Sequence, residues 1–96
     1  MRQRIERRLS SIAEEIETTR AKLAMVREDL GVRTSAATDL WVRALVAETP
    51  LADREFREAE ARRRQAEERT SAVRRRLRGL EEERSRVAGL LAGQRR

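Results

Sequence analysis

An apolar seam with a heptad period runs through most of this chain, and that period fixes the kind of fold the chain can adopt. From Ile5, the positions Leu9, Ile12, Ile16, Thr19, Leu23, Val26 and Leu30 follow at alternating steps of four and three. A second series runs Phe56, Ala59, Arg63, Ala66, Thr70, Val73, Leu77, Leu80, Arg84, Val87 and Leu91 with the same alternation. A repeat of this period belongs to a helix that buries one narrow stripe against another helix. No stretch alternates with period two, so no strand is expected.

The only proline separates the two series. Thr49 before Pro50 supplies an N-cap hydroxyl and a residue pre-set for the first helical position. Asp53, Glu55 and Glu58 then place negative charge where the helix dipole favours it. Folding the chain back at Pro50 sets Ile5 opposite Leu91, Ile16 opposite Leu80, Leu23 opposite Val73, Val26 opposite Thr70 and Leu30 opposite Ala66. Each layer joins an a position to a d position, as antiparallel packing requires. The expected fold class is all-α: an antiparallel two-helix coiled-coil hairpin forming a single domain over residues 1–96. Its helix 1 covers about 3–48, the turn 48–50, helix 2 about 50–92, and a tail at 93–96 frays after Gly89 and Gly93. Each arm is roughly 65–70 Å long at ~1.5 Å per residue. Two helices alone bury only one stripe, so pairing of two hairpins into a four-helix dimer is expected.

The pattern weakens after Leu30. Carrying the seam on through Thr34, Ala37, Trp41 and Leu45 inserts an extra residue, a stutter that locally unwinds a coiled coil. Gly31–Ser35 is then the place for a kink. A competing reading ends the first helix at Gly31 as a C-cap glycine and starts a short third helix at Thr38, reaching Ala47. In the stutter register Trp41 meets Phe56 and Leu45 meets Ala52, the two aromatics of the chain facing each other near the turn. Leu40, Val42 and Val46 then project away from helix 2. Exposed apolar side chains with a tryptophan among them mark an interface more often than a free surface. Leu40, Trp41, Val42, Val46 and Phe56 are therefore the expected partner-binding residues, with Arg43 and Glu48 as a polar rim.

Composition limits the chemistry. The chain has no Cys and no His, which excludes disulfides, thiol chemistry, histidine acid/base catalysis and the usual zinc sites. Glu14, Glu15 and Glu17, and Glu81, Glu82 and Glu83, read as solvated helix faces, because nothing near them in the sequence supplies a nucleophile or a buried cleft. No enzyme activity, no cofactor and no metal site is expected. Thr19, Thr70, Arg63 and Arg84 are polar seam members that set register or cover the seam with their stems. The first residues, Met1 to Leu9, are charged, and no apolar run nears the ~20 residues of a membrane span. A cytoplasmic protein without membrane contact is expected.

Net charge is +6, and of 23 basic residues only Lys22 is lysine. The clusters Arg62, Arg63, Arg64 and Arg74, Arg75, Arg76, Arg78 could neutralise phosphates of a nucleic acid. Acidic bands interrupt them, however, and no aromatics interleave to stack on bases. In the hairpin register, charges of like sign fall at the same height: Arg2, Arg4, Arg7 and Arg8 beside Arg95 and Arg96, then Glu14, Glu15 and Glu17 beside Glu81, Glu82 and Glu83. Bands left in this way suit a neighbouring rod offset by one band. The leading expectation is a non-enzymatic coiled-coil interaction or scaffold protein that self-associates and binds a partner protein through an apolar hairpin tip. The alternative is an Arg-rich helical protein that binds nucleic acid.

Overall fold

The computed structural model describes residues 1–94. Among these the fold is all-helical: α1 spans Arg2–Ala47, α2 spans Pro50–Gln94, and there is no strand. Gly93 and Gln94 belong to α2, while Arg95 and Arg96, with their share of the basic base, lie outside the described residues.

Helix α1 continues through Gly31. Thr38 does not start a third helix, because its hydroxyl donates to the carbonyl of Thr34 at 3.0 Å, one turn earlier in the same helix. Two residues link α1 to α2. The Glu48 N–H still donates to the Ala44 carbonyl at 3.1 Å, but Glu48 itself turns into the left-handed region with φ of 50°. Thr49 then caps α2: its Oγ1 accepts the Ala52 N–H at 3.2 Å, and its carbonyl accepts the Asp53 N–H at 3.1 Å.

The chain divides into two compact units. The first joins Met1–Leu23 to the chain from Val73 onward. Its two segments run antiparallel, as the ion pairs Arg8–Glu83 and Glu15–Arg76 require. Its core is aliphatic: Ile12, Ile16 and Leu80 are buried together, with Leu77 and Val87 packed against them. Leu23 and Val73 are also buried.

The second unit, Ala24–Ala72, contains the turn. Its segments are again antiparallel. Far from the turn, Arg69 reaches Asp29 at 3.9 Å, and the Thr70 hydroxyl lies 3.3 Å from the Val26 carbonyl. The seam here is built of small residues: Ala37, Ala52, Ala59 and Ala66 are buried, with Thr70 only 1% exposed. Alanine at intervals of a heptad lets two helices approach closely but buries little apolar surface.

In this unit the seam departs from the expected register. Ala37 is buried, and Leu40 and Ala44 are partly buried, whereas Trp41 and Leu45 are exposed. The heptad therefore runs on from Leu30 through Arg33, Ala37, Leu40 and Ala44 without a stutter. Leu40 is on the inner side, and Trp41 is displaced to the flank. The steric reason is that alanine backbones in close contact leave no room between them for an indole.

Candidate functional site

Helix α1 ends in the run Leu40–Trp41–Val42–Arg43–Ala44–Leu45–Val46–Ala47. Because Leu40 and Ala44 take the inner positions, the other large apolar side chains must point elsewhere. Trp41 is 49% exposed, Leu45 58% and Val46 81%; Val42 is also exposed. Leu51, in the first turn of α2, adds a further side chain at 63% exposure. These five sit within the last turns of α1 and the first turn of α2, at the turn end of the unit.

Of the five expected partner-binding residues, Trp41, Val42 and Val46 are exposed, Phe56 is partly buried, and Leu40 is turned inward. Leu45 and Leu51 belong to the exposed set and were not among those five. The signal for Leu45 was in the spacing: once Leu40 and Ala44 are taken as seam, Leu45 falls next to it on the outer side. Trp41 and Phe56 line one shallow groove with Thr34, Ala37, Thr38, Glu60 and Arg63.

Arg63 stands at a seam position, and its charge is handled within α2. Its guanidinium donates to Glu60 at 2.7 Å and to Glu67 at 2.9 Å. These hydrogen bonds raise the Arg63 pKa from its ordinary value, and the same contact lowers that of Glu60. The Glu60 contribution to stability is thus complete above its ordinary value of 4.5 and is lost as pH falls through the lowered one. Arg8 is likewise raised, chiefly by its hydrogen bond to Glu83.

The two arginine clusters are partly committed to carboxylates. Arg63 and Arg64 pair with Glu60, and Arg76 pairs with Glu15 at 3.5 Å. Among the described residues Arg62, Arg74, Arg75 and Arg78 are exposed and make no ion pair. Arg8–Glu83 and Glu15–Arg76 also qualify the expected charge bands. Long arginine side chains reach along the helix axis to the neighbouring band of opposite sign, so part of the banding is neutralised within the chain.

Among the described residues no group of three or more acidic side chains gathers as a cation site, and no helix is long and apolar enough to cross a membrane. Comparison with known proteins finds no family model, no curated relative and no solved structure that this chain matches.

Proposed function

We propose that this chain is a non-enzymatic coiled-coil interaction protein, a helical hairpin that self-associates into a four-helix dimer and docks partner protein through its apolar tip. The observation that carries the reading is an inversion of size in the unit Ala24–Ala72. Alanines fill the seam, while Trp41, Val42, Leu45, Val46 and Leu51 are exposed. Burying one such aliphatic side chain contributes on the order of 1.5–3 kcal/mol. A helix pair that withholds these side chains from its own core leaves that energy for another surface. Arg43, between Val42 and Ala44, gives the patch a charged edge, as interface rims have.

The test is the double substitution Val42→Glu and Val46→Glu. Both sites are exposed, so helicity by circular dichroism should stay at the native level. The solution mass should fall to that of a single chain, and any captured partner should be lost. A double variant that keeps both the native mass and every native partner would sink the assignment of function to the tip.

A further inference from the structure

In the unit Ala24–Ala72, helix α1 carries two stripes. The inward one is Leu30, Ala37, Leu40 and Ala44. On the opposite side Met25, Val32, Val42 and Val46 recur with heptad spacing, interspersed with Glu28, Ser35 and Asp39 at the remaining steps of three and four. All seven are exposed. Beside this outer stripe stand Ala24, Gly31, Thr38 and Leu45, also exposed. No Arg or Lys occurs in the stripe or on this flank, and Arg43 is the one basic residue of the other flank, in a chain where 23 of 96 residues are basic. By contrast, the outward positions of α2 carry Arg54, Arg57, Arg64, Arg75 and Arg78. A helix with two heptad stripes is patterned to pack on both sides.

We propose that the occupant of this outer face is the same face of a second copy of the chain, lying antiparallel with the two-fold axis crossing the outer stripe at the height of Ala37. This rests on the self-association reading above and gives it a face and a register. Charge selects the arrangement. Parallel pairing would set Glu28 on Glu28 and Asp39 on Asp39 of the other copy, like charge on like. An antiparallel register one heptad shorter would set Glu28 against Asp39. One heptad longer would set Asp39 against Val42 and Ser35 against Val46, a carboxylate pressed on an apolar side chain with no partner. The register between them avoids all of these. It places Val32 opposite Val42, and Asp39 opposite Ser35, whose hydroxyl can donate to the carboxylate. Glu28 falls beside Val46 at the end of the contact, where water reaches it.

Size agrees with charge. On the flank of this register Leu45 lies over Gly31, large against small as interdigitating layers require, and the two Thr38 side chains meet near the axis. A Cβ built on Gly31 meets nothing within 4 Å in its own chain, so the space above it is open to the second copy. The contact runs from Glu28 to Val46, roughly 28 Å of each helix at ~1.5 Å per residue. An isologous pairing uses each contact twice, so one stripe serves as both key and lock.

The absence of cysteine from the sequence makes the register directly testable. Val32 and Val42 lie roughly 15 Å apart along one helix, beyond the ~4.4–6.8 Å between Cα atoms that a disulfide spans. Any bond between these positions must therefore join two chains. Under mild oxidation the double variant V32C/V42C should convert largely to a covalent dimer, and peptide mapping should find position 32 linked to position 42. V32C alone and V42C alone should stay unlinked, and mixing the two should give a linked heterodimer. If the native chain is dimeric by mass but the 32–42 link does not form, or V32C links to itself, this face and register are wrong while self-association stands. If the native chain stays a single chain at high concentration and the tip still captures a different protein, the second copy is not the occupant.

Discussion

The link between the helices places one residue in a conformation that its side chain opposes. Glu48 adopts a φ of 50° at the end of α1, the position where helices most often use glycine. For an L-residue with a Cβ, the left-handed region costs roughly 1–2 kcal/mol. Glycine avoids that cost but loses more freedom on folding. The net expectation for Glu48→Gly is a gain of about 0.5–1 kcal/mol, read as a higher midpoint in denaturant at unchanged slope. An unchanged or lower midpoint would mean that Glu48 repays its strain by a contact of its own. The cap on the other side of the link was legible from the sequence, because Thr49 followed by Pro50 is a purely local signal and the hydroxyl needs only the N–H of Ala52. The strain at Glu48 was not legible, since nothing in its side chain announces a left-handed backbone; only the distance from Ala47 to Pro50 dictates it.

At the scale of a helix, the heptad pattern located the interior. Every buried residue of the described chain lies on the seam read from the spacing or opposite it, from Ile12 and Ile16 to Ala52, Ala59, Ala66 and Leu80. The reading went astray between Leu30 and Leu45 because it followed size. Trp41 and Leu45 are large and were assigned inward, while Arg33 at the continuing position hid the unbroken repeat through Ala37 and Ala44. Transfer energy favours burying an indole, but two helices held together by alanines exclude it, and packing geometry wins. The same logic governs Thr70. It is buried, and its hydroxyl donates to the Ala66 carbonyl at 2.8 Å, a helix oxygen. Replacing it with the isosteric valine removes a polar group together with its only need for a partner. Thr70→Val should therefore leave stability within about 1 kcal/mol of native or raise it. If the threonine sets register, the variant's amide spectrum should show a second set of peaks for residues around Val26 and Ala66. A single set of native-like peaks with unchanged stability would leave Thr70 with no role in specifying the seam.

At the scale of the whole molecule, the two units draw on different sources of stability. The unit containing Ile12, Ile16 and Leu80 has its own aliphatic core, in which a single large-to-small change costs about 2–5 kcal/mol. The unit Ala24–Ala72 has an alanine seam, and most of its large apolar side chains are exposed. Considered by itself, this second unit has little apolar burial to offset the entropy of ordering its backbone. Association is the natural remedy, because a partner that binds only the folded form adds stability in proportion to the logarithm of its concentration. Hydrogen exchange at a series of chain concentrations separates the two cases. Amides of Leu30 to Val46 should gain protection steadily as concentration rises, on the order of 1 kcal/mol per tenfold. Amides around Ile12, Ile16 and Leu80 should already be protected at the lowest concentration. Protection of the Leu30–Val46 stretch that is high and independent of concentration would mean that the alanine seam suffices alone. The exposed valines would then be a surface without an energetic reason to be covered.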